Sequence, residues 1–308
     1  MRKLTTILCT FCLLTVLTVP ALAAMRPIHF AVPPWPGAMM KATIASMILN
    51  AAGYPTKVVE MGVSDIYMGL ENGTVDVYMS AWLPTQSTLL QPLIDKKRVR
   101  VAGTNVTGAK VGLCVPGYAH AAGVTSVSDL AAHKDKFDGT IQNIESGSGM
   151  YVVVTKFINE DIAGLGTWQQ QGQSIDAMLA AVQKDFDAKK WVVFGCWKPH
   201  WMNLTLDLFY LEGTKQTKLL IATNEIATIL GDALKTTYPD AFMFLSRFHV
   251  NTDTQGKWTY DVSFKKQPVN EAARSWITGN IEVIRQWLGN LKAADGKTKA
   301  VDALEGQF

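Results

Sequence analysis

The sequence predicts an α/β protein built on parallel sheet. Short apolar, β-branched runs alternate with segments of helical periodicity along the chain, the pattern of βα units. Three of these runs end alike: 28–32 closes on Pro33-Pro34-Trp35-Pro36-Gly37, 75–81 on Trp82-Leu83-Pro84, and 192–196 on Trp197-Lys198-Pro199. No long linker, low-complexity tract or short repeat interrupts the alternation.

The first 24 residues read as a secretory leader. Arg2 and Lys3 form a basic start, 4–19 is apolar apart from Thr and Cys, and Pro20-Ala21-Leu22-Ala23 supplies a small-residue cleavage site. The apolar run is short of the about 20 residues that a membrane span needs. No cysteine stands directly after the cleavage site, so a lipid anchor is not expected and the product should be free and soluble. Loss of Arg2 and Lys3 takes the formal charge from +3 to about +1. No basic patch remains, which speaks against a nucleic-acid partner. Beyond the leader stand Cys114 and Cys196 alone. Two cysteines make neither a disulfide framework nor a metal-ligand pattern. They are read as two buried strand residues, with pairing in an oxidising compartment as the alternative.

The elements follow in order. After Trp35, Met40, Ile44, Met47, Ile48 and Ala51 fall at helical spacing within 38–52, and Gly53 supplies the stop. A strand is predicted at 57–61, then a short helix from Ser64 to near Gly73. Strand 76–81 precedes a weakly helical 87–94, and 110–115 is again a strand. Ser126 with Asp129 three residues on starts a short helix in the manner of a capping box. Strand 140–144 leads through a Gly/Ser loop into a helix over 149–160. Ser174 caps a helix to about 189 that places Ile175, Met178, Leu179 and Val182 on one face. Strand 192–196 and a strand-like 204–211 follow. The stretch 225–230 is ambiguous between helix and strand, and 239–248, 270–277 and 281–291 are predicted helices.

In parallel α/β sheets, ligands bind beyond the carboxyl ends of the strands. Trp35, Trp82 and Trp197 are predicted to lie there, each followed by a proline that fixes the turn and removes an amide donor. The other six tryptophans (Trp168, Trp191, Trp201, Trp258, Trp276 and Trp287) are assigned to packing. Three converging indole faces make a box lined with negative quadrupole density. A cation without N–H groups, such as trimethylammonium, suits it, each face contributing roughly 0.5–2 kcal/mol when dry. Glu145-Ser146-Gly147-Ser148-Gly149-Met150 joins a strand to a helix. Its glycines admit close backbone approach, and free amides at the helix start favour an anion. It lacks the residues of a phosphate loop or a nucleophile elbow.

SAWLP at 80–84, ESGSGM at 145–150, and CWKPHWM at 196–202 followed by DLFYL at 207–211 resemble the glycine betaine-binding proteins of ABC importers and the related choline-binding ones. The resemblance runs in order over nearly the whole chain after the leader. It implies a two-lobe periplasmic binding protein fold (type II-like), with a hinge and an interlobe cleft. Lobe I would comprise about 25–110 plus 205–308, and lobe II about 111–204. It further implies a tryptophan cage of Trp35, Trp82 and Trp197, with Ser148, Gly149 and Met150 at the carboxylate-binding loop.

Two departures from the family pattern matter. Some betaine binders place a carboxylate-bonding His five residues after the Trp of the WLP motif; here that position is Ser87, which implies a weaker contact. Choline binders place an acid two residues after the first cage Trp and an aromatic near the start of lobe II. Here those positions are Gly37 and Val111, which argues for betaine over choline. His200 is a further candidate at the ligand, with backbone bonding near its turn as the plainer role. The expected protein is a periplasmic monomer, without cofactor or metal, that passes a quaternary ammonium compound to an inner-membrane ABC permease. Choline- or carnitine-preferring binding is the alternative. A secreted hydrolase is the reading from another class, but the five histidines stand in no recognisable catalytic motif. An aromatic platform for sugars would use the same indoles without the anion-binding loop.

Overall fold

A computed structural model describes residues 25–218 and 223–308; the predicted leader lies outside the described residues. The chain runs through β1 (Ile28–Val32), α1 (Pro36–Ala51), β2 (Thr56–Glu60), α2 (Val63–Asn72), β3 (Val77–Leu83), α3 (Ser87–Asp95) and β4 (Val99–Pro116). After α4 (Gly117–Ala121) and a 3₁₀ stretch come β5 (Thr140–Ile144), α5 (Gly149–Asn159), β6 (Gln169–Gln173), α6 (Ile175–Asp187) and β7 (Val193–Lys198). Then follow α7 (Met202–Thr205), β8 (Leu208–Tyr210), β9 (Thr223–Gly231), α8 (Leu234–Thr237), α9 (Pro239–Arg247), α10 (Thr252–Thr259), α11 (Val269–Gly279) and α12 (Ile281–Leu288).

The strands form one sheet in the order β2-β1-β3-β9-β4-β7-β5-β6, with β8 paired to β4. Parallel pairs occupy both ends, β1 with β2 and β3, and β5 with β6 and β7. The antiparallel pair β9–β4 joins them. β4 is the long connecting strand. Its first part pairs with β9, while Lys110 to Cys114 pair with β7 and Cys114 to Pro116 with β8. Three register shifts against β9 bend it. At Gly103 a Cβ would stand 2.6 Å from the Ser246 carbonyl oxygen, so only glycine lets this strand meet α9.

Helices cover both faces of the β1–β3 end, and the strand residues alternate accordingly. Phe30, Val32 and Met79 join the core under α1, while Ala31, Tyr78 and Ala81 join a second core with Ile66, Tyr67 and Leu90. Pro36 opens α1 at a position where its missing N–H is harmless, and Met40, Ile44 and Ile48 are fully buried. Lys41 is buried beside them. Its amine donates to Asn105 Oδ1 at 2.9 Å, and burial holds its pKa well below the usual lysine value.

Several expectations change. The strand expected at 110–115 is only the end of the 18-residue β4. β6, with the sequence QQQGQ, was not anticipated; it is a largely exposed edge strand and needs no apolar pattern. The ambiguous 225–230 is strand, because it pairs with β3 on one side and β4 on the other. Ser126 and Asp129 do form a capping box, but the segment they start is 3₁₀ and kinks at His133. α10, which carries a glycine and little apolar character, was missed; Asn251 Oδ1 caps it by accepting from the Thr254 amide at 2.8 Å. The larger correction concerns the cysteines. Cys114 and Cys196 are both buried strand residues, as read, but they are bonded to each other, with Cα atoms 5.8 Å apart on neighbouring β4 and β7.

Candidate functional site

Trp35 is the N-cap of α1, just past β1. Trp82 and Trp197 are the penultimate residues of β3 and β7, so these two strands run through the indoles and do not stop before them. The prolines that follow Trp82 and Trp197 are reached through cis peptide bonds. All three indoles line one cavity. Trp82 and Trp197 are each 8% exposed, and Trp35 is half-buried. Among the described residues no ring contact joins any two of the three; they stand around a common space. Water centres can occupy about 50 Å³ of it, enough for a few waters or one compact solute.

The two ends of the sheet meet at this cavity. Trp35 Nε1–H donates to Glu145 Oε1 at 2.8 Å, which fixes the indole that follows Pro33 and Pro34. Burial raises the pKa of Glu145, against the stabilising bond from Trp35. Outside the cavity lining, Trp201 Nε1–H donates to Ser263 Oγ at 3.1 Å, and Lys266 pairs with Asp176 at 3.0 Å.

Ser148, Gly149 and Met150 line the same cavity. Ser148 is the N-cap of α5, and its Oγ accepts from the Tyr151 amide at 3.2 Å. The Gly149 and Met150 amides precede Val152, the first amide to donate within the helix (to the Ser148 carbonyl, 3.0 Å), and are free to meet an anion. Gly149 sits hard against the 85–86 segment: a Cβ there would come 2.9 Å from Thr85 Cγ2 and 3.1 Å from Gln86 Cγ.

His200 lies on the cavity wall and is 3% exposed. The expected backbone bond exists, the Met202 amide donating to Nδ1 at 3.3 Å. With Nδ1 accepting, the neutral ring carries its proton on Nε2, which has no partner. Burial lowers the His200 pKa to about 3, so the ring is neutral. Its edge-to-face contact with Trp197, 5.1 Å between centroids, holds that indole in place.

Ser87 is not part of the site. It is exposed at the start of α3 and does not line the cavity. The turn of β3 into α3 instead delivers Thr85 and Gln86. Thr85 Oγ donates to Asn224 Oδ1 at 2.9 Å. Gln86 Oε1 accepts from the hydroxyls of Tyr67 and Tyr78, at 3.0 and 3.2 Å. Val111, opposite Trp197 across β4 and β7, also lines the cavity. Gln255 and Thr259 reach it from α10; no sequence signal linked them to residues more than 200 positions earlier. No group of three His, Cys, Asp or Glu able to hold a metal occurs among the described residues. No helix among them is long and apolar enough to cross a membrane.

Strand-end indoles beside a helix N-terminus define a solute-binding protein of the two-lobe fold. The model of the substrate binding domain of ABC-type glycine betaine transport systems matches residues 26–279, and the chain belongs to this family. It is 28% identical over 175 residues to the glycine betaine/carnitine transport binding protein GbuC of Listeria monocytogenes, spanning 56% of this chain and 57% of that one. A choline binding protein of an ABC transporter, in complex with choline, superposes with a TM-score of 0.85 at 25% identity, over 90% of this chain and 96% of the other. Lactococcal OpuAC, closed on glycine betaine, gives 0.77 at 27% identity, over 85% and 99%.

Proposed function

We propose that the protein captures glycine betaine, or a closely similar zwitterionic quaternary ammonium compound, outside the cytoplasm and presents it to an ABC permease of the inner membrane. One observation carries this reading: Trp35, Trp82 and Trp197 line a single cavity together with the N-terminus of α5. The methylated cation would sit among the indole faces, and the carboxylate would take the Gly149 and Met150 amides, with His200 lining the same cavity. The protein acts as a periplasmic monomer with no catalytic step. Lobe I is assigned to about 25–110 and 205–308 and lobe II to 111–204, with β8 packing on lobe II through Cys114 to Pro116.

A choline preference is the second reading, favoured by the superposition on a choline complex. Gly37 and Val111 stand against it, since neither offers a hydroxyl acceptor or an aromatic wall. Calorimetric titration with glycine betaine, carnitine, choline and a sugar panel tests both. Binding of betaine is the expected result. Binding of sugars alone, or of no quaternary ammonium compound, removes the proposal.

A further inference from the structure

Gln255 is 4% exposed, lines the cavity from α10, and leaves its Oε1 without a partner. A buried amide in that condition needs an explanation, and Gly37 supplies half of it. A Cβ at residue 37 would lie 2.7 Å from Gln255 Nε2, 3.0 Å from Cδ and 3.1 Å from Cγ. The Gln255 amide therefore fills the volume that a side chain at 37 would need. The two positions form one unit: glycine on α1 is the condition for the glutamine to reach inward from α10.

We propose that Gln255 is a specificity-determining residue, its amide N–H donating to the carboxylate of a bound zwitterion and so selecting carboxylate-bearing quaternary ammonium compounds over amino alcohols. This rests on the quaternary ammonium reading of the cavity. Rotation of the terminal amide presents either a donor or an acceptor, and the surroundings decide between them. Among the described residues, the cavity that Gln255 lines holds no Asp or Glu; it is also lined by Gly149 and Met150 at the positive end of α5 and by His200, whose Nε2–H has no partner. Glu145, the acid nearest in the chain, is engaged by Trp35. A carboxylate among such groups is complemented by one more donor, whereas an alcohol would need an acceptor.

The test compares glycine betaine with choline by calorimetry in the full secreted chain, in Gln255→Leu, Gln255→Glu and the pair Gly37→Asp/Gln255→Ala. Gln255→Leu should lose about tenfold or more in betaine affinity, the worth of a hydrogen bond to a charged group, with choline little changed. Gln255→Glu and the double variant should reverse the preference toward choline. A betaine-to-choline ratio within about twofold of wild type in all folded variants overturns the inference. So does an equal loss of both ligands, which would make Gln255 a packing residue. Melting of the ligand-free proteins identifies any variant that fails to fold; Gln255→Glu keeps the shape of the side chain and the double variant relieves the contact at 37. If wild type binds no quaternary ammonium compound, the function proposal itself fails, a result distinct from the variants alone behaving like wild type.

Discussion

The Trp35 indole, which lines the cavity, and the Glu145 carboxylate are hydrogen-bonded at 2.8 Å although 110 residues apart in sequence. The bond orients an indole of the proposed cage and links the segment after β1 to the segment after β5. Glu145→Ala should therefore weaken betaine binding by roughly three- to tenfold, mainly through faster dissociation. Stopped-flow tryptophan fluorescence would resolve that rate. An unchanged dissociation rate would show that the bond contributes nothing to the closed form.

The cage itself is more demanding. Trp82→Ala should abolish measurable binding, because it removes a buried face and opens the strand end to water. Trp82→Phe should retain weakened binding. Near-normal affinity of the alanine variant in a titration would end the cage model.

Gly149→Ala is a test of approach between the two sides. The added methyl meets Thr85 Cγ2 at 2.9 Å and the Thr85 carbonyl oxygen at 3.2 Å. Affinity should fall tenfold or more, with the melting temperature of the ligand-free protein nearly unchanged. A drop in that temperature alone would place the clash in folding and leave closure out of it.

His200 makes stability depend on pH. Its pKa is about 3 in the folded protein and near 6.5 once unfolded. Between these values the unfolded chain binds the extra proton, so stability is complete above about pH 6.5 and is lost as pH falls toward 3. The loss should be on the order of a few kcal/mol. His200→Gln should flatten this part of the profile in denaturant titrations from pH 7 to pH 4. An equally steep profile in the variant would assign the dependence to other groups.

The Cys114–Cys196 bond closes a long loop, with a sequence separation of 82. Reduction should destabilise the protein by about 2–5 kcal/mol. Cys196 immediately precedes Trp197, so the reduced protein should also bind more weakly. Calorimetry with and without reductant checks both effects.

What could be read from the sequence was local. The Trp-Pro endings of three strands and the Gly/Ser stretch at the start of α5 carry their own chemistry, and Trp35, Trp82, Trp197, Ser148, Gly149 and Met150 do line one cavity. Ser87 misled because its place was inferred from spacing after Trp82, whereas the chain turns so that Thr85 and Gln86 face inward. β6 and α10 escaped for want of apolar periodicity, the first as a solvated edge and the second as a polar helix. Gln255 could not have been found. Its role depends on an empty volume at Gly37, and only the packing of α10 on α1 brings the two together. The disulfide likewise needed the β4–β7 register, which places Gly112 opposite Cys196 and Phe194 opposite Cys114.

Trp82 and Trp197 are almost wholly hidden from solvent, and this limits what any recipient could detect. A solute held among them, as proposed, would offer little to touch from outside. A permease would then read the outline of the loaded carrier, and release would require the walls to separate, with the Trp35–Glu145 bond among the contacts to part.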